Sequence, residues 1–233
     1  PVFLIAGSHD YSVSGKSFLD VLEKAGFCRN SSIYEEKGDK ILLSPIIYRN
    51  VAIYGYPGWK SSLEINEIER IKLQDSPGLF KILMLHTAIR SAIHNPTIKA
   101  VNDSLLPKVD YLALGHLHIR YAEANKVYSG PIFPNNLSEL EELQGGSFYI
   151  FNNGNLKLKE IKIKEVYVLN LEIKNTLNIT ENIISYLSKE NLKDKIVIIK
   201  LSGVVEQGKL SDIDFAKIGL SLKEKNYYLF IAQ

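Results

Sequence analysis

Four of the five histidines in this 233-residue chain stand directly after short apolar runs, and no other feature constrains the fold as tightly. The segments are Phe3-Leu4-Ile5-Ala6-Gly7-Ser8-His9-Asp10, Ile82-Leu83-Met84-Leu85-His86 and Tyr111-Leu112-Ala113-Leu114-Gly115-His116-Leu117-His118. Short aliphatic and β-branched runs bounded by turn residues read as buried strands. In open α/β sheets, ligands gather beyond the carboxyl ends of the strands, where loops converge. Three strand ends therefore deliver four imidazoles to one edge. A lone histidine after a strand is more often a core or surface residue than a ligand. Together, in this order and spacing, the four point to a site. His116 and His118 are two apart, so in extended chain both rings face the same way. Gly115 is expected to let the backbone turn at the strand end. Neutral imidazole suits Mn, Fe or Zn. His94, in Ile93-His94-Asn95-Pro96, lies outside the pattern and reads as a loop residue.

Over the first 155 or so residues, apolar runs alternate with amphipathic stretches. Val2–Ala6, Val51–Tyr54, Ile82–Leu85 and Tyr111–Leu114 are the expected strands. Between them, a helix over 16–27 would put Phe18, Leu19, Leu22 and Ala25 on one face. A second, over 61–73, would align Leu63, Ile65, Ile68 and Ile71, with Glu64, Glu67, Arg70 and Lys72 toward water. Alternating strands and helices indicate an α/β layered fold. From Gly146 the texture changes. Residues 147–151 and 156–163 read as a hairpin around Asn152-Asn153-Gly154-Asn155, with a bulge at Lys159-Glu160 where the apolar alternation slips. A β-α-β-α-β series follows, over 166–173, 180–188, 196–201, 212–222 and 227–231. Thr180 is the expected N-cap of its first helix, and Gly203 ends its middle strand. The division is therefore expected between a domain over 1–164 and a small module over 165–233.

A net charge of +2 permits contact with an anionic polymer without announcing it. Cys28, the single cysteine, excludes an intramolecular disulfide framework and fits a reducing compartment. With no signal peptide and no apolar run of membrane-spanning length, a cytoplasmic or nuclear protein is expected, neither secreted nor in the membrane. The chain enters a core-type strand directly after Pro1, which reads as a fragment.

Gly7-Ser8-His9-Asp10, the single His86 after its strand and Gly115-His116-Leu117-His118 resemble the later motifs of the calcineurin-like metallophosphoesterases. Within that superfamily the chain most resembles the meiotic-recombination-eleven (SbcD-type) nuclease of DNA double-strand-break repair. Val51-Ala52-Ile53-Tyr54-Gly55 and Val127-Tyr128-Ser129-Gly130-Pro131 also resemble family segments, so the likeness spans nearly the whole chain. It implies a layered α/β/β/α sandwich lacking its first strands, followed by a small α+β capping domain that contacts DNA. It implies a manganese-dependent exonuclease and endonuclease with two Mn2+ per site in the complete protein. His86 and His116 would bind one manganese and His118 the other. His9 would act on the scissile phosphate or protonate the leaving oxygen, and Asp10 would orient it. Ser8 stands where the family has a metal-ligating Asn, and a serine hydroxyl is a shorter, poorer ligand. The family's Asp-x-His and Gly-Asp motifs, which lie upstream, are absent, so the chain as it stands is expected to be inactive. The implied partners are DNA, a coiled-coil ABC-type ATPase and a second copy of the chain; Phe18, Leu19 and Leu22 lie where the family forms its helical dimer interface.

Arg90 and Lys99 are weaker candidates for phosphate contact, and Lys157 and Lys159, with Lys162 and Lys164, for a nucleic-acid backbone. A solvated strand edge that blocks aggregation would look the same as that lysine row. Two alternatives to the nuclease stay open. One is a metallophosphoesterase acting on small phosphodiesters; the other is a nuclease-like, non-catalytic scaffold that binds DNA.

Overall fold

The computed structural model describes residues 1–10, 17–59, 64–222 and 227–232. It is a mixed α/β structure with several sheets and few helices. By its internal contacts the chain divides into two compact units, Pro1–Gly130 and Pro131–Gln233. The expected division at 164/165 falls inside the second unit, between its hairpin and its parallel sheet.

The first unit contains eleven described strands. They are β1 (Phe3–Leu4), β2 (Arg29–Asn30), β3 (Tyr34–Lys37), β4 (Lys40–Leu43), β5 (Ile46–Tyr48), β6 (Val51–Tyr56), β7 (Ile71–Leu73), β8 (Phe80–His86), β9 (Tyr111–Gly115), β10 (Arg120–Glu123) and β11 (Lys126–Ser129). Six of them form one sheet in the order β10-β11-β9-β8-β6-β5. Its centre is parallel: β6 pairs β8, β8 pairs β9 and β9 pairs β11, so their carboxyl ends share an edge. Central parallel strands covered on both faces need near-continuous apolar sequence. Five of the six residues of β6 are accordingly buried, as are Leu83, Leu85, Leu112 and Leu114. Truncating a buried leucine such as Leu83 to alanine costs roughly 2–5 kcal/mol. A smaller sheet, β3-β4-β7, supplies Ile41, Leu43 and Ile71 to the same core.

Two helical expectations change here. Over 61–73, 3-10 turns end at Arg70 and the chain runs straight into β7; residues 61–63 lie outside the described residues. Pairing of Ile71 with Ile41 and of Leu73 with Leu43 outweighs the helical periodicity. Glu64 is consequently buried, 2% exposed, rather than facing water. The first helix, α1, spans Phe18–Lys24 and buries no residue; Phe18 is 85% exposed. Lys16, the expected start of that helix, lies outside the described residues.

The second unit contains α2 (Leu137–Leu143), β12 (Gly146–Asn152), β13 (Asn155–Ile161), β14 (Val166–Glu172), α3 (Ile179–Ser188), β15 (Ile196–Ser202), α4 (Phe215–Leu222) and β16 (Tyr227–Ala232). β12 and β13 form the expected hairpin, turning on Asn153 and Gly154, both at positive φ. Its register is one-to-one from Gly146↔Ile161 to Asn152↔Asn155, so the expected bulge is absent. Ile161 lies across from Gly146, on the other face from Leu156 and Leu158. The β-α-β-α-β series is a wholly parallel sheet in the order β14-β15-β16. α3 and α4 bury Ile183, Leu187, Ile218 and Leu222 in a core shared with Val197, Ile199 and Leu201. Asn178, not Thr180, occupies the N-cap of α3; the Thr180 hydroxyl accepts instead from the Asp214 amide at 3.0 Å.

Candidate functional site

His86 is the last residue of β8 and pairs in register with Gly115 of β9. Its imidazole is walled by three glycines from three chain segments. A Cβ added at Gly58 would lie 2.3 Å from its Cδ2, at Gly7 2.8 Å from its Cε1, and at Gly115 3.0 Å from its Nδ1. Any side chain at these positions would displace the ring. The segments are tied together by backbone, since the Gly58 amide donates to the Ala6 carbonyl at 2.9 Å. That bond sets the loop after β6 beside the loop that carries Ser8. Ser8 Oγ lies 3.5 Å from His86 Nε2.

His116 follows Gly115 and carries a φ of +94°, where non-glycine residues are rare. The expected division of labour is therefore reversed. Gly115 remains in the strand and makes room for His86, while the turn falls on His116 itself. The chain is not extended there, so alternation does not set how His116 and His118 face. The bend instead brings the His116 ring against His86, edge-on, with centroids 5.3 Å apart and planes at 73°. Strain of this kind, roughly 1–3 kcal/mol, persists only where packing imposes it.

In the other loop, Asp10 Oδ2 accepts from the Gly7 amide at 2.7 Å and the Asp10 amide donates to the Gly7 carbonyl at 3.2 Å. The carboxylate thus closes the turn that presents Ser8 and His9. His9, Asp10 and His118 are exposed, whereas Ser8, His86 and His116 are partly buried.

Burial pushes the His86 imidazole down to about 4, helped by His116 and opposed by Asp10; His118 and His9 add smaller pushes downward. Burial also lowers His116, against an upward pull from Glu64, with His118 and His9 lowering it further. The other three histidines thus act on His86, and His118 and His9 act on His116. At neutral pH both partly buried rings are neutral and offer nitrogen lone pairs. Imidazole nitrogens beside a hydroxyl are donors of the right type for a first-row divalent cation. Among the described residues, however, no group of three or more His, Cys, Asp or Glu side chains converges to hold a metal.

The weaker candidates lie elsewhere. Arg90 points its guanidinium at backbone, donating to Ile98 O at 2.8 Å and Asn95 O at 3.4 Å, and so braces the loop after β8. Lys99 is exposed on that loop. Lys157 and Lys159 belong to the second unit, on the hairpin face they share with Ile150 and Phe148. Sequence reasoning missed Gly58 and Glu64. The Pro57-Gly58 turn signal after a buried strand could have found Gly58; Glu64 was hidden by the helical periodicity of its segment.

No family model matches the chain. No helix among the described residues is long and apolar enough to cross a membrane.

Proposed function

We propose that this histidine edge is part of the metal site of a metallophosphoesterase of the DNA-repair nuclease type, hydrolysing phosphodiester bonds at or near DNA ends. The observation that carries the reading is that Ser8, on the loop after β1, and His116, after β9, both meet His86 at the end of β8, with His86 walled by Gly7, Gly58 and Gly115. Glycine at three points around one neutral imidazole keeps its nitrogens free of side-chain crowding, which suits a ligand better than a core histidine. In this reading His86 and His116 hold one manganese and His118 the second, with Ser8 at the edge of the shell. Bound manganese would supply Lewis-acid stabilisation and an activated water. His9, exposed on the turn closed by Asp10, would contact the scissile phosphate or give a proton to the leaving oxygen. The finer fold, a layered α/β/β/α sandwich with a capping domain, belongs to the same proposal. So do the partners: DNA, a coiled-coil ABC-type ATPase and a second copy of the chain.

The test is cleavage of end-labelled duplex DNA in manganese by the full-length protein, beside its His9→Ala variant. Cleavage should fall by about 10²–10⁴-fold in the variant, with manganese affinity within about twofold of the parent. Equal loss of binding and cleavage would remove His9 from its role. A nuclease-like scaffold is the second reading, favoured by Ser8 standing where the family has a metal-ligating Asn. Absence of cleavage by the parent, with DNA binding retained, would establish it.

A further inference from the structure

Glu64 is buried to 2% exposure, and an acid is almost never buried so deeply unless it is paired. Its Oε2 accepts from the Trp59 amide at 3.1 Å. Trp59 directly follows Gly58, the glycine at which an added Cβ would come closest to the His86 ring. The Gly58 amide itself donates a hydrogen bond to the Ala6 carbonyl. The wall of the His86 ring is therefore held from two directions, by the strand end that leads to Ser8 and by a buried acid.

We propose that Glu64 is a positioning residue of the histidine site, holding Gly58 against the His86 imidazole through the Trp59 amide. The role rests on reading these histidines as a phosphoesterase site, and it deepens that reading by naming what fixes the ring. A buried side-chain acceptor anchors this backbone donor where water does not compete for it. Glu64 also lies near enough to act on His116, so it belongs to the same neighbourhood as both rings.

Two variants separate positioning from bulk packing. Glu64→Met fills about the same volume and removes the acceptor of the Trp59 amide. Glu64→Gln keeps an acceptor of the same length. The first readout is the carbon-bound ring-proton NMR signals of His86 in the metal-free 233-residue chain, assigned by a His86→Gln variant. Met should shift or broaden those signals, and Gln should restore them toward the parent. The second readout is manganese binding by calorimetry, where Met should weaken affinity by about 10–100-fold and Gln by no more than about threefold. Unchanged His86 signals in Glu64→Met would overturn the proposal, as would Gln damage equal to that of Met. If the full-length protein binds no manganese while Met still disturbs the His86 signals, the phosphoesterase reading fails and the positioning role stands.

Discussion

Both units carry glycines at or beyond the ends of parallel strands, and they use those glycines for opposite purposes. In the first unit Gly7, Gly58 and Gly115 make room for a side chain, the His86 ring. In the second, glycines beyond β15 bring its loop against the loop that follows β14. A Cβ at Gly203 would lie 2.7 Å from the Ile173 carbonyl oxygen, and one at Gly208 would lie 2.0 Å from Thr176 Oγ1. There Asn175 Nδ2 donates to Gln207 Oε1 at 2.7 Å, and Thr176 Oγ1 lies 3.3 Å from both Gln207 O and Asp212 Oδ2. The second unit fastens its strand ends to one another, and the first leaves neutral imidazoles at them. Parallel topology supplies an edge in both cases; what faces each glycine decides whether that edge can act as a site.

The sharpest way to break this contrast is to add a methyl group on each side of it. Gly58→Ala should move the His86 ring, weakening manganese binding by about 10–100-fold with a stability loss of about 1–3 kcal/mol. Gly208→Ala, at a φ of +84° and against Thr176, should cost a similar amount of stability and leave manganese affinity unchanged. Calorimetric metal titration and urea unfolding of both variants check this pair. Equal metal loss in both would erase the distinction between the two edges.

Acid should also act on the two units unequally. His86 is held down to about 4 in the folded protein, against 6.5 for the unperturbed side chain. Between those values the unfolded chain takes up a proton that the folded one does not. Stability therefore falls as pH drops from about 6.5 to about 4 and levels off below. The second unit contains no histidine. Hydrogen exchange on the intact chain should show protection of β8 and β9 falling across this window while that of β14 and β15 changes less. His86→Gln should flatten the response of the first unit.

The smallest effects concern the polar bonds that fasten each unit. Tyr128, fully buried, donates to the Thr87 carbonyl at 2.7 Å and accepts from the Ile89 amide at 3.1 Å, tying down the chain just after His86. Tyr128→Phe leaves that amide and carbonyl without their partner and should cost about 1–3 kcal/mol, with faster exchange of the Ile89 amide. The partly exposed Lys200–Glu141 pair of the second unit, 2.9 Å apart, is worth about 0–1 kcal/mol, and Lys200→Met should change stability by no more than that. Thermal unfolding ranks the two.

The sequence by itself determined the buried strands and what stands at their ends. Val51–Tyr56, Phe80–His86 and Tyr111–Gly115 are strands because short runs of aliphatic and aromatic residues can be covered on both faces only inside a parallel sheet. The hairpin and the β-α-β-α-β series were legible for the same reason, from periodicity and turn residues. Only the tertiary structure decided which glycine faces the His86 ring, that the turn falls on His116 and not on Gly115, and that Glu64 is buried. Those features depend on contacts between residues distant in the chain. Pairing of Ile71–Leu73 with Ile41–Leu43 overrode a local helical pattern that looked equally good, and with that pairing Glu64 came to lie inside. Local sequence sets which residues end a strand; the packing of one strand end against another sets which atoms meet there.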